Sequence, residues 1–304
     1  MTSMGHASIA PQRGDFRFSH RLRVRWVEVD AQQVVFNGHY LTYLDVAVTE
    51  YWRAVGLPYP DAMRHADGDI FVRRNALEYH APARLDDELL IGIRCERVGT
   101  SSITLAWSVH CQGRLLVTGE VVYVFTSLST GRSAPVPEHV RAQLVAQEAG
   151  EAVTSLCCGP WHLLGDAARS VRAAVFIGEQ GIPEHEEWDA DDDNAVHVVV
   201  RNLGGLALAT GRLILSGEPS SPAHQAPGHA RIGRMAVLRS ARGRGLGRSV
   251  LQALMTEARE RGITHLSLHA QVAAMSLYAQ AGFQPSGPVF DEVGIPHQRM
   301  TLAL

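Results

Sequence analysis

The sequence predicts an α+β domain followed by a mixed α/β domain, and three observations carry that prediction. At 304 residues the chain is long for a single hydrophobic core. Its first half offers one apolar helical stretch and then four strand-like segments without another long helix, which is a helix laid on an antiparallel sheet. In its second half strands and helices alternate around a glycine-rich turn between a strand and a helix. The boundary falls after a proline-bearing stretch at 130–137, giving a first domain over 1–140, a linker over 141–154 and a second domain over 155–304.

Composition narrows the function classes. Hydrophobic residues make up 46% and charged residues 19%, as in ordinary globular chains, and a net charge of −3 argues against a general nucleic-acid binder. Every apolar run is too short to cross a bilayer, and the first fifteen residues hold no apolar leader core, so a cytoplasmic protein with a frayed start is expected, with no membrane partner. The four cysteines, Cys95, Cys111, Cys157 and Cys158, lack metal-ligand spacing, and the adjacent pair is poorly placed for a mutual disulfide. Reduced thiols and no metal are therefore expected.

In the first half a strand is expected over 18–28, where Phe18, Leu22, Val24 and Trp26 partly alternate with Arg21, Arg23 and Arg25. It leads to Asp30 and an irregular segment. A helix follows over 40–55, with Leu41, Leu44, Val48, Tyr51, Trp52 and Val55 at helical spacing and Gly56-Leu57-Pro58 as its stop. Strands are expected over 70–80, 89–97, 102–111 and 115–127, the last three joined by hairpin-length turns. Glu78 and His80 read as outward polar positions of an alternating strand. A short helix at 138–149 ends at Gly150.

The run Val24-Arg25-Trp26-Val27-Glu28-Val29-Asp30, continued by Asn37-Gly38-His39-Tyr40-Leu41, resembles the signature of hotdog-fold acyl-CoA thioesterases of the 4-hydroxybenzoyl-CoA thioesterase type, over roughly residues 15–130. The resemblance implies a homodimer or homotetramer through this domain. It also implies that Asp30 is the catalytic carboxylate, acting as base on water or as nucleophile at a thioester, with backbone N–H groups near a helix start polarising the carbonyl. Gln33 stands where a glycine is usual and Asn37 where many bacterial members carry His; an Asn can hydrogen-bond a thioester carbonyl or orient water. On residue type alone, Asp30 reads as a turn or helix-entry cap.

The second half is organised around 235–262. An apolar run leads into Arg242-Gly243-Arg244-Gly245-Leu246-Gly247, and a helix follows over 248–261, with Val250, Leu251, Leu254, Met255 and Ala258 on one face. Glycines free of Cβ let successive N–H groups turn toward one point, and the helix start adds unpaired donors and a positive dipole end. With Arg242, Arg244 and Arg248 this is a cradle for a pyrophosphate, yet it has neither the Lys-Ser/Thr ending of a triphosphate loop nor dinucleotide spacing. A helix is expected over 166–180, strands over 195–202, 205–215, 230–238 and 266–270, and a helix over 273–281. The stretch 216–228 reads as a mobile joining loop. The acidic run at 183–193 reads as a solvated loop; alternatively its field attracts a cationic amine. His265 and His269 share one face of a strand without further ligands for zinc.

This order of segments resembles the GNAT acyltransferases. The turn at 242–247 matches their acyl-CoA loop and Tyr278 with Gly282-Phe283 matches a second motif. Glu179-Gln180-Gly181-Ile182-Pro183, His197, Ala270-Gln271 and 292–297 resemble a bacterial subgroup. The fold implied for the whole chain is thus an α+β hotdog domain followed by a mixed α/β GNAT domain. The resemblance implies that backbone amides of Met235, Ala236 and Val237 hold the pantetheine arm and thioester oxygen of acetyl-CoA or another acyl-CoA. Those of Arg242, Gly243, Arg244, Gly245, Leu246 and Gly247, with Arg248 nearby, would hold its pyrophosphate. An amine acceptor would attack the thioester while Tyr278 protonates the leaving thiolate, with Glu179, Glu292 and His297 as candidate bases. Three functions remain open: a bifunctional thioesterase and N-acetyltransferase, an acetyltransferase whose first domain is a non-catalytic dimerisation or acyl-CoA-sensing module, or nucleotide binding at the glycine turn, which predicts binding of ATP but not of CoA.

Overall fold

The computed structural model describes residues 13–215 and 228–304. Its chain divides into two compact units, the first ending at Val153 and the second running Thr154–Leu304. The joining loop expected at 216–228 lies outside the described residues except for Gly228, as does most of the expected frayed start.

The first unit contains β1 (Phe18–Arg23), α1 (His39–Ala54), α2 (Asp61–His65), β2 (Gly68–Tyr79), β3 (Glu88–Val98), β4 (Ser102–Cys111), β5 (Arg114–Ser127) and α3 (Glu138–Ala149). Its strands form one antiparallel sheet of order β1-β3-β4-β5-β2. α1 buries Tyr40, Tyr43, Leu44, Ala47, Val48, Tyr51 and Trp52, a three-and-four spacing that makes one apolar stripe. That stripe packs on β1 and β3, where Leu89, Ile91 and Ile93 alternate inward and the Tyr51 ring meets Phe18 edge-on at 5.5 Å.

One expectation changes here. The first strand stops at Arg23, not residue 28, because the Glu28 carboxylate turns back to accept the Arg25 N–H at 2.7 Å and closes a 3-10 turn, Trp26–Glu28. The helix expected over 138–149 is present as α3 and occupies much of the stretch assigned to the linker. That helix is fastened to the sheet: Arg141 donates to the Val98 and Gly99 carbonyls at 2.6 and 2.8 Å, and Glu148 accepts from Tyr51 and the Cys95 N–H.

The second unit contains β6 (Thr154–Pro160), α4 (Trp161–Arg172), α5 (Glu184–Glu187), α6 (Asp191–Asn194), β7 (Val196–Asn202), β8 (Ala207–Leu215), β9 (His229–Val237), α7 (Leu246–Glu260), β10 (His265–Gln271), α8 (Met275–Gln280), β11 (Gln284–Glu292) and β12 (Ile295–Ala303). The sheet order is β11-β12-β10-β9-β8-β7-β6, antiparallel throughout except for β9 beside β10. α7 covers one face through Val250, Leu251 and Leu254 against Val198, Leu213 and Leu268. α4 covers the other through Leu164, Ala168 and Val171 against Val199, Leu208 and Ala236. Strands buried on both faces have no alternation to show, hence the near-continuous burial of β7 and β8, with His197, Thr210 and Arg212 buried among the apolar residues. The helix expected over 166–180 starts earlier, at Trp161 behind Pro160, and continues past Arg172 as a π-helical segment, Ala173–Glu179.

The acidic run is not a solvated loop. It forms α5 and α6, and Glu187, Asp191 and Asp192 are buried. Arg172 in α4 and Arg212 in β8, each no more than 2% exposed, stand behind it: Arg172 donates to Glu187 at 2.5 Å and to Asp192 at 2.7 Å, and Arg212 to Asp189 at 2.5 Å and to Asp192 at 2.7 Å. Arg234 and Arg231 complete the network on Asp189 and Asp191. Four arginines thus face four of the run's seven carboxylates, and Glu184, Glu186 and Asp193 stay exposed outside this network.

The four cysteines are free. Among the described residues no helix is long and apolar enough to cross a membrane, and no cluster of three or more His, Cys, Asp or Glu could hold a metal ion.

Candidate active sites

In the first unit the segment between β1 and α1 is a tightly bonded hairpin. Val29 bridges Val35, the Asp30 N–H donates to the Val34 carbonyl, and Asp30 Oδ1 accepts the Gln32 N–H at 2.8 Å. Asp30 Oδ2 has no partner among the described residues, so half of this partly buried carboxylate remains free for chemistry. The turn requires a left-handed residue at position 33, and Gln33 supplies it with φ of 62°. Glycine adopts that conformation without strain, whereas a side chain there costs about 1 kcal/mol or more.

Glu28 holds this segment against α1. Its side chain, 2% exposed, accepts from Arg25 Nε at 2.8 Å and from the Tyr43 hydroxyl at 2.7 Å, while its carbonyl accepts the Phe36 N–H. Burial pushes the Glu28 carboxyl up, but hydrogen bonds from Arg25 and Tyr43 outweigh it and hold the group below its ordinary value. Sequence reasoning passed over Glu28; an acidic residue on a predicted strand next to three arginines was the available signal.

At the start of α1 the N–H groups of Asn37 and Gly38 meet no acceptor among the described residues, which suits them to a carbonyl oxygen. Asn37 lines a cavity of about 320 Å³ with Val35, Tyr40, Tyr79, His80, Ala81 and Pro82. Asp30 does not line it. The Tyr79 hydroxyl donates to the Asn37 carbonyl at 3.1 Å, and the exposed His80 ring lies 2.8 Å from the Thr118 hydroxyl.

In the second unit the site arises where two parallel strands part. β9 and β10 pair only from His229–Ile232 and His265–Leu268, after which β9 bulges at Arg234, with φ of 51°. The opening is a cavity of about 360 Å³ whose walls include Ile232, Met235, Gln271, Tyr278, Glu292 and His297. Four residues expected from the sequence, Met235, Tyr278, Glu292 and His297, are thus brought together.

Tyr278, on α8, is 7% exposed, and burial pushes its phenol up to about 12. Its hydroxyl has no partner among the described residues, so it is a neutral donor facing a cavity. His297 donates Nδ1–H to the Ile295 carbonyl at 2.8 Å, which leaves Nε2 as acceptor. Glu292 Oε2 lies 3.1 Å from His269 Nδ1, and this hydrogen bond holds the carboxyl below its ordinary value. Glu179 is elsewhere: Arg242 grips both its oxygens at 2.7 Å, lowering its pKa, and it does not line the cavity.

The glycine turn has the predicted cradle geometry. Gly243 and Gly245 take φ of 83° and 78°, and α7 begins immediately after. No backbone N–H from Gly243 to Arg248 finds an acceptor among the described residues. Arg244 is exposed without a partner, Arg248 reaches only Gln280, and Arg242 is committed to Glu179, so the backbone and two arginines are available to an anion. Ala236 and Val237 continue β9 toward the turn.

Known proteins with similar sequences fall into two groups, acetyltransferases and thioesterases. Residues 24–144 match the model of the thioesterase-like superfamily, and residues 218–304 that of the acetyltransferase (GNAT) domain. The chain is 32% identical to an uncharacterized protein, YyaT, of Bacillus subtilis, over 44% of this chain and 85% of that one. It is 31% identical to the uncharacterized N-acetyltransferase YjcF of the same organism, over 43% and 86%. Its first half is 25% identical to the acyl-CoA thioesterase YbgC of Haemophilus influenzae, over 42% of this chain and 94% of that protein.

Proposed function

We propose, because the chain belongs to the GNAT acetyltransferase family through its second half and carries a hotdog thioesterase-like domain in its first, that it acts on acyl-CoA at two sites. One hydrolyses a thioester and the other transfers an acetyl or acyl group to an amine. The observation that carries the reading is the row of unpaired N–H groups from Gly243 to Arg248 in the same unit as a cavity bearing Tyr278. The turn would hold the pyrophosphate, Met235, Ala236 and Val237 the pantetheine arm, and Tyr278 would protonate the thiolate. In the first unit Asp30 would act on water or the thioester carbon, with Asn37 and Gly38 N–H groups on the carbonyl oxygen. The domain would work as a homodimer or homotetramer, which light scattering checks: a monomer at micromolar concentration contradicts it.

A second reading keeps the acetyltransferase and makes the hotdog domain a dimerisation or acyl-CoA-sensing module. It is favoured by the position of Asp30 outside the cavity and by the use of its Oδ1 in the turn. Thiol release from an acyl-CoA panel, compared between wild type and Asp30→Ala, separates the two. Asp30-dependent release supports hydrolysis; its absence at every chain length refutes it.

A further inference from the structure

On β10, Leu266, Leu268 and Ala270 are buried in the core against α7, so His265, Ser267, His269 and Gln271 share the opposite face. His269 stands opposite Arg299 on β12, and Gln271 opposite His297. Glu292, at the end of β11, reaches the same face and places Oε2 3.1 Å from His269 Nδ1. A carboxylate only accepts, so Nδ1 carries the proton and Nε2 keeps its lone pair. The Phe290 ring meets the imidazole edge-on at 4.9 Å, which sets the ring plane. His269, Glu292 and Tyr278 all line the same cavity.

We propose that His269, oriented by Glu292, is the general base that deprotonates the amine acceptor in the second unit; this rests on the acyl-transfer reading above. Other candidates are less suited. His297 is oriented by a neutral backbone carbonyl and is 9% exposed, whereas Nδ1 of His269 is held by the Glu292 carboxylate. Glu179 is taken by Arg242, and Glu187 and Asp189 by Arg172, Arg212 and Arg234. Around the cavity that His269 lines, the charged groups are Glu292 from β11, His297 from β12, Arg231 and Arg234 from β9, Arg212 from β8, and Glu186, Glu187 and Asp189 from the acidic run, with Arg299 opposite His269 on β12 and His265 on its own strand. Arg231 and Arg234 are paired with Asp191, Glu187 and Asp189, and the carboxylate in contact with this ring is Glu292.

The acceptor arrives as an ammonium ion, and His269 Nε2 takes one proton, leaving the electron pair on nitrogen. That pair forms the C–N bond at the thioester carbon while the carbonyl π electrons move to oxygen. Collapse breaks the C–S bond with its electrons on sulfur; Tyr278 protonates the thiolate, and its phenolate takes the second proton from the new amide nitrogen. One proton remains on His269 for solvent. A base at this position suits a primary aliphatic amine, which is protonated at neutral pH and must lose a proton before it attacks.

The test is formation of N-acetylated product, read by mass spectrometry, from acetyl-CoA and a panel of primary aliphatic amines across pH. In His269→Gln the rate at neutral pH should fall by about 10²–10⁴-fold, with KM for acetyl-CoA unchanged and recovery at alkaline pH where the free amine exists. Glu292→Gln should move the acid limb of kcat/KM to lower pH; His297→Gln should leave it in place. An acid limb that survives His269→Gln, or is lost in His297→Gln, overturns the inference while leaving acyl transfer intact. Wild-type protein that acetylates none of the amines overturns acyl transfer itself. Nitrogen-15 spectra of the ring give an independent check: His269 in the Nδ1–H form supports the proposal, and the Nε2–H form refutes it.

Discussion

Substituting Asp192 by Ala removes the carboxylate shared by two buried arginines. Asp192 is 4% exposed and its Oδ1 accepts from both Arg172 and Arg212 at 2.7 Å. Glu187 still faces Arg172 and Asp189 still faces Arg212, so each cation keeps one partner, but the pairing of four arginines with four carboxylates is broken by one positive charge beside two buried guanidinium groups. Breaking a buried ion pair from one side costs about 3–5 kcal/mol. In a unit of about 150 residues, where 1 kcal/mol is worth roughly 2–4 °C, the midpoint should fall by roughly 10 °C. Calorimetry on the full chain reads the shift, and hydrogen exchange should assign it to α4 and β8 rather than to the first unit. A shift below about 2 °C would mean that the carboxylates of this run are solvated, and the argument from burial would be wrong.

Further outcomes follow from other contacts. Gly211→Ala places a Cβ at 2.7 Å from Met235 Sδ and Val250 Cγ1 and 2.9 Å from Leu254 Cδ1, and the overpacking should cost about 1–3 kcal/mol in urea unfolding. Tyr278→Phe keeps the edge-on packing against Phe283, so stability and CoA affinity should hold while acetyl transfer falls by about 10²–10⁴-fold. Burial raises the Asp189 carboxyl, but Arg212, Arg234 and Arg172 outweigh it and hold the group below its ordinary value. The stability it contributes is complete above the unfolded carboxylate range, near about 4, and is lost as pH falls through the lower folded value. Acid titration of unfolding should therefore lose that contribution in Asp189→Asn.

What was legible in the sequence follows from periodicity and exposure. α1 announced itself through Leu44, Val48, Tyr51 and Trp52, because a helix with one wet face must repeat every three to four residues. β6 was unread: Thr154–Pro160 is an edge strand with mostly exposed side chains, so no alternation marks it. The hairpin of β11 and β12 was unread because its turn puts Val293 at φ of 53° before Gly294, where sequence rules look for Asn or Asp. The acidic run misled because charge clusters normally seek water. The corrective signal lay in other elements: Arg172 on an apolar helix face and Arg212 inside the buried strand β8 each required a counter-ion. In the candidate sites, Asn37 and Tyr278 were legible from motifs, while Glu28, His269 and the separation of Glu179 from the cavity depended on register and contact between distant segments.

If the turn after β9 holds coenzyme A, as proposed, a carboxylate placed in it by Gly247→Asp should expel the ligand. A Cβ at Gly247 meets only ordinary contacts, at 3.6 Å to Leu277 and Val237, and an acidic residue in the first turn of α7 favours the helix by about 0.3–1 kcal/mol. The variant should therefore fold as well as the wild type while its carboxylate repels a pyrophosphate from the N–H cradle. Calorimetric titration of acetyl-CoA in the presence and absence of competing ATP should give binding to the wild type that ATP does not displace, and a loss of about 100-fold or more in Gly247→Asp. Unchanged acetyl-CoA binding in that variant, or a wild type that takes ATP in its place, would contradict the claim.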